Sequence, residues 1–208
     1  KVLDVEGMEV ITTPLTFVST NHAILYNGGI PVFCDVEEET LNLDVSKVEA
    51  LVTEKTRAVV CVHYGGHACR MDLLMKLAEQ YGFAVVEDCA HAAGGEYEGR
   101  KLGGIGDLVC FSFHAVKNLA TGDGGMVTVS NPDWAGRMKK LRWLGITYDT
   151  WSRDAGGEKY SWHYDVEEVG FKCHMNDITA ALGLVQLRKL DALNKRRREI
   201  VERYRIGL

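Results

Sequence analysis

The sequence has no apolar run near the roughly 18 residues that cross a bilayer, and it opens with no signal-peptide pattern. Basic residues are in the minority. Lys and Arg number 24 against 29 Asp and Glu, for a net charge of −5. That balance excludes the global electrostatic footprint of a nucleic-acid binder. Proline is scarce, with three in 208 residues, while 46% of the chain is hydrophobic. Together these exclude a disordered chain. Paired CxxC motifs are absent. The six cysteines (Cys34, Cys61, Cys69, Cys89, Cys110 and Cys173) are scattered, several of them inside runs such as AVVCVHY and LVCFSF. They read as reduced, core-filling residues of a cytoplasmic protein rather than a disulfide framework. His163, Cys173 and His174 lack the spacing of a metal site. Gly103, Gly104 and Gly106 precede an apolar run instead of following one, so the dinucleotide-loop mechanism does not apply. There is no internal repeat and no low-complexity segment.

What is there is an alternation of short apolar runs with helical patterns. IPVFCDV (30–36), RAVVCVHY (57–64), FAVVEDCA (83–90), DLVCFSFH (107–114) and GMVTVS (125–130) read as strands. RAVVCVHY is nearly continuous, as in a parallel strand covered on both faces. Helices are expected over 44–52, over 71–82 ending at Gly82, and over 131–145, which opens Asn-Pro and stops at Gly145. A long amphipathic helix is expected from Asn176 towards Tyr204, its basic cluster Lys195–Arg198 forming a solvated face. The stretch 146–169 has no period and reads as a long loop. The order predicts an α/β fold with a mostly parallel sheet and ligands beyond the carboxyl ends of the strands.

Two strand ends carry chemistry. Val85-Val86-Glu87-Asp88 is expected to place carboxylates at the mouth of the sheet. Phe111-Ser112-Phe113-His114 runs on to Lys117 and the glycine-rich Thr121–Gly125. Asp88 lies 29 residues before Lys117. A lysine leaving an apolar strand into a tight loop is suited to Schiff-base chemistry, because desolvation frees its amine. An acid, a lysine and a nearby hydroxyl are the parts that pyridoxal phosphate needs. His63 reads as a structural residue at a strand end, and His114 borders the pocket.

The motifs GMEVITTPLTFVST (7–20), GGIPVFCDVEEETLNLD (28–44), AVVCVHYGGHACRMD (58–72), the 85–125 stretch with EDCAHA and SFHAVKN, and VGFKCHMNDITAALGLVQL (169–187) run through nearly all of the chain. In type and order they resemble the DegT/StrS family of pyridoxal-phosphate-dependent sugar aminotransferases. The resemblance implies the large domain of transferase fold type I, three-layer α/β/α, over 1–170. The helix of 171–208 would lead towards a small domain largely absent from this chain. It implies that Lys117 forms the internal aldimine and later moves the proton, and that Asp88 pairs with the pyridine nitrogen. It further implies that His91 contacts the phenolic oxygen, that Phe17 stacks on the ring and that Ser112 binds phosphate. Lys172 would reach the phosphate of a neighbouring subunit, which implies a homodimer with shared sites. The implied reaction is transamination of a nucleotide-linked keto-sugar with glutamate as donor, without metal, nucleic acid or membrane. Two other readings stand beside it. Dehydratase relatives replace the lysine with histidine, and some relatives are regulatory. The chain departs from the family at Val116, where Thr is common, and at Cys173, where an aromatic is frequent. Lys1 lies six residues before Gly7, so the family's upstream Gly-Thr phosphate-binding segment is expected to be missing.

Overall fold

The computed structural model describes residues 1–147 and 164–208. Its elements in chain order are β1 (Glu9–Thr12), α1 (Val18–Tyr26), β2 (Ile30–Phe33), α2 (Val45–Val48), β3 (Thr56–Val62), α3 (Met71–Tyr81), β4 (Ala84–Asp88), β5 (Glu96–Tyr97), β6 (Arg100–Lys101), β7 (Leu108–Ser112), β8 (Gly125–Val129), α4 (Pro132–Leu141) and α5 (Asp177–Gly207). The main sheet has the order β2-β1-β3-β4-β7-β8. All pairs are parallel except β7 with β8. β5 and β6 form a small separate hairpin.

The sheet is the middle of three layers, and strand alternation sorts the side chains between its faces. Ile11, Val59, Cys61 and Val85 face α2 and α3 and pack on Val45, Val48, Met71 and Leu74. Val10, Ala58 and Val60 face the other way, onto Ile24 of α1. Met71, Leu74 and Ala78 recur at helical spacing, and burial of each of the two large ones contributes roughly 2–3 kcal/mol. Gly82 ends α3 in the left-handed region at φ 74°, its N–H returning to the Ala78 carbonyl. Asn131 caps α4, its side-chain oxygen accepting from the N–H groups of Asp133 and Trp134, with Pro132 in the first turn.

Several expectations change in detail. The 44–52 helix is one α turn, Val45–Val48, that tightens to a 3₁₀ turn over Glu49–Leu51. α4 stops at Leu141 rather than running to Gly145. Gly145 (φ 79°) instead lets the Glu168 backbone carbonyl approach so closely that no Cβ would fit there. Together with the antiparallel bridges Ile146–Val166 and Trp143–Lys172, this closes the base of the 146–169 excursion. The rest of that excursion, 148–163, and His163 with it, lie outside the described residues. Cys34, Cys61, Cys69 and Cys89 are core residues as expected, but Cys110 and Cys173 are exposed. The long helix is present, yet only Leu190 and Asn194 of it are buried, while Leu182, Leu184, Val185 and Leu187 are exposed. Asn194 anchors it by donating to the Ala93 carbonyl (3.0 Å). The basic cluster is exposed, with Arg196 paired to Glu199. No helix among the described residues is long and apolar enough to cross a membrane.

Candidate active site at the carboxyl end of the sheet

The carboxyl ends of β1, β3, β4 and β7 point to the same side of a parallel sheet, where open α/β folds bind ligands. Asp88 is the last residue of β4, half-buried. Its Oδ1 accepts from the Ala90 N–H (3.0 Å) and its Oδ2 from the Thr20 hydroxyl (2.8 Å). Thr20 is on α1, three residues after Phe17, whose carbonyl accepts the Thr20 N–H (3.1 Å). One turn of helix therefore ties the backbone at Phe17 to the residue that holds Asp88. Phe17 is 77% exposed, and no ring among the described residues stacks on it. Sequence reasoning named Phe17 but missed Thr20. The signal was its place three residues on, within the same first turn.

Lys117 is set by a loop tied at its base. Phe113 N–H donates to Gly124 O (2.8 Å), Thr121 N–H to Phe113 O (2.9 Å) and Ala115 N–H to Gly122 O (3.1 Å). Lys117 closes a turn by donating its N–H to His114 O (2.9 Å), and its side chain is half-buried. Ser112 ends β7, and β7 pairs with β4 so that Asp88 faces Cys110. The Ser112 oxygen accepts from the His114 N–H at 3.4 Å, a weak contact that leaves it available. His114 itself is exposed at the rim.

His91 follows Asp88 by one turn. Gly65 N–H donates to its Nδ1 (3.3 Å), so the ring proton sits on Nε2 and leaves that nitrogen a donor. Burial, and after it the positive charge of Lys117, lower its pKa, with Asp88 opposing them. His91 is therefore neutral at neutral pH. The preceding turn needs glycine at Gly66 (φ 86°), since a Cβ there would meet the His91 carbonyl at 2.9 Å. Lys172 stands apart from this group, its Nζ 3.4 Å from the centre of the Trp143 ring, a cation–π contact.

Glu87 is a correction. It was expected at the mouth beside Asp88, but it is fully buried on the opposite face of β4, as strand alternation requires. Its Oε2 accepts from His63 Nε2 (2.9 Å), and its Oε1 accepts from the N–H groups of Ile105 (3.1 Å) and Gly106. The glycine loop judged unfit for a dinucleotide does bind an anion, an internal one. His63 is the structural strand-end residue anticipated, fully buried. His63, Glu87 and Cys89 have the proximity of a metal-ligand set. Yet the His63 and Glu87 donor and acceptor atoms are already paired, so the set fits a hydrogen-bond network better than an ion. Burial pushes the Glu87 carboxyl up, and the His63, Gly106 and Ile105 hydrogen bonds outweigh it, leaving the pKa below the ordinary value of 4.5. A carboxyl with a lowered folded pKa stabilises the fold above its ordinary value, and that gain is lost as pH falls through the folded value. Thermal melts from about pH 7 to about pH 3 should show an acid limb that Glu87→Gln flattens. An unchanged limb would count against an ionised Glu87.

The whole chain, residues 1–208, matches the model of the DegT/DnrJ/EryC1/StrS aminotransferase family, and the chain belongs to that family. The spore coat polysaccharide biosynthesis protein SpsC of Bacillus subtilis is 48% identical over 198 residues, 95% of this chain and 50% of SpsC. The sugar aminotransferase CalS13 of Micromonospora echinospora superposes with a TM-score of 0.83 at 37% identity, over 95% of this chain and 54% of that one. Spr1654 of Streptococcus pneumoniae, solved in its PLP form, superposes with a TM-score of 0.86 at 32% identity, over 99% and 55%. The chain spans about half the length of the curated relatives it matches.

The donor set fits the cofactor that the family resemblance implies. Among the described residues each Asp88 oxygen has one hydrogen-bond partner, which leaves a second lone pair for a protonated ring nitrogen. Lys117 offers an amine, Ser112 a hydroxyl, His91 an Nε2–H and Phe17 an open aromatic face.

Proposed function

We propose that the protein transaminates a nucleotide-linked keto-sugar, with glutamate as amino donor, using pyridoxal phosphate held at this site. The observation that carries the reading is the pair of adjacent parallel strand ends, one delivering Asp88 and the other the tied loop of Lys117. When bound, the cofactor supplies an electron sink for the charge left as the donor's α-carbon loses its proton. The residues of this chain do the rest. Lys117 Nζ would hold the cofactor, and its amine would serve as the general base that moves the donor's α-carbon proton. Asp88 would pair with the ring nitrogen, and Thr20 would keep Asp88 aimed. Phe17 would offer its ring as a stacking face, Ser112 would bind the phosphate, and Lys172 would reach the phosphate of a second copy in a homodimer. Lys117 disfavours the dehydratase reading, because those relatives carry histidine there.

The purified protein, incubated with glutamate and a nucleotide keto-sugar, should release 2-oxoglutarate and yield a sugar whose mass shows a carbonyl oxygen replaced by an amino group. Loss of water without nitrogen would contradict the reading, as would cofactor binding with no half-reaction.

His91 is assigned a donor role rather than proton transfer, because Gly65 locks its Nδ1 as acceptor. A glutamine amide can donate in the same place. His91→Gln should keep turnover within about threefold, whereas His91→Ala should lose about 10-fold to 100-fold, the worth of one hydrogen bond to a charged oxygen. Steady-state kinetics of the two variants check this, and equal losses would sink the donor role.

A further inference from the structure

The mechanism above leaves unused a fully buried pair, His63 and Glu87, directly beneath Asp88. Burying an ionised carboxylate costs several kcal/mol, and an apolar pair of the same volume often packs as well or better. The pair's contacts offer a reason to keep it. His63 grips β4 twice, its backbone N–H donating to Asp88 O (3.1 Å) and its Nε2–H to Glu87 Oε2 (2.9 Å). Glu87 in turn gathers the Ile105 and Gly106 amides from the 103–106 loop, Ile105 at 3.1 Å. The far side of the ring is fixed as well, for Cys69 N–H donates to Nδ1 (3.1 Å). The polarity of this chain is therefore set. Burial opposes charge on the ring, while the neighbouring thiols and Glu87 favour it and on balance raise its pKa. The Cys69 amide decides the matter, since a proton on Nδ1 would face another donor. The ring is neutral, with its single proton directed at Glu87. Beyond Asp88 the next backbone tie to a neighbouring strand is Cys89 N–H to Cys110 O (2.8 Å), so the Asp88 peptide is clamped from β3, β7 and the loop together.

We propose that His63 and Glu87 are positioning residues that fix the height and aim of the Asp88 carboxylate towards the cofactor's ring nitrogen. This rests on the cofactor reading above. Glu87→Gln preserves volume but breaks the polarity. An amide NH₂ must face either His63 Nε2–H or the two loop amides, so two donors confront each other in either orientation. His63→Gln can preserve it, with an oxygen for Cys69 N–H and an NH₂ for Glu87, while His63→Leu cannot.

The test is a double-mutant cycle on cofactor affinity. Pyridoxal phosphate is titrated by absorbance into the cofactor-free protein, with and without Glu87→Gln, in the Asp88 and Asp88→Asn backgrounds. Thermal melts report the folded fraction. Glu87→Gln should weaken binding about 10-fold when Asp88 is present and less than about twofold when it is Asn, since coupled residues are non-additive. His63→Leu should behave like Glu87→Gln, and His63→Gln should restore affinity to within about threefold. If Glu87→Gln does not fold, the two His63 variants decide. The same factor in both backgrounds, or a lowered melting temperature with unchanged affinity, would overturn the positioning role and leave the cofactor reading standing. No saturable binding by the unsubstituted protein would overturn the cofactor reading, and this inference with it.

Discussion

Lys117→Ala is expected to abolish the visible absorbance of lysine-bound cofactor and to lower transamination about a thousandfold or more. On the proposed reading two functions would be lost at once: the covalent hold on the cofactor and the base that moves the α-carbon proton. Lys117 is presented by a turn whose two limbs are tied through Phe113, Ala115, Thr121 and Gly124, so the position is rigid and specific. His114, on the same turn, is an exposed rim residue. Cofactor should still bind Lys117→Ala non-covalently, because Asp88, Ser112, Phe17 and His91 are untouched. A spectral titration against kinetics separates the two losses. Retention of the lysine-type band in the variant would mean that another amine does this work.

The second large effect is expected at Asp88. Asp88→Asn replaces an anion with a neutral amide of the same shape and should reduce turnover about a hundredfold to a thousandfold, as for removal of one preorganised electrostatic partner. The chemistry needs a charged acceptor opposite a protonated ring nitrogen, and the amide would offer that only weakly. Thr20→Val is the graded companion. It removes a single hydroxyl donor at 2.8 Å and leaves the charge, so a loss of about 10-fold is expected. Kinetics of the two variants at one pH check the order. If Asp88→Asn were as active as the unsubstituted protein, the pairing with a ring nitrogen would be wrong.

The strand ends that carry the site were legible because an apolar run precedes each, Ala84–Val86 before Asp88 and Leu108–Phe111 before Ser112, beside a β3 that is covered on both faces. Val59, Cys61 and Val85 pack on one side and Ala58 and Val60 on the other. The glycine-rich turn after Lys117 was legible as a turn, and its place beside β4 followed from the alternation of elements. β1 was not read as a strand. It is four residues long and runs into Thr12 and Thr13, both fully buried, and buried threonines leave no apolar run to see. Glu87 was aimed wrongly because two adjacent carboxylates look alike in sequence, although a period of two sends them to opposite faces. The clamp on it comes from Ile105 and Gly106, 18 and 19 residues away, and no local pattern announces that. Thr20 was missed for the same reason, its partner being 68 residues distant. The long helix was placed correctly at Asn176, whose side chain caps it by accepting the Thr179 N–H (2.9 Å). It was read as amphipathic, and most of its apolar residues are exposed.

The central claim is that Lys117 is the amine to which pyridoxal phosphate attaches. Borohydride reduction of the cofactor-loaded protein, followed by proteolysis and mass spectrometry, tests it most directly. The account predicts one modified peptide, carrying the reduced phosphopyridoxyl mass on Lys117. A modification on a different lysine, or none on a protein that binds the cofactor, would contradict it.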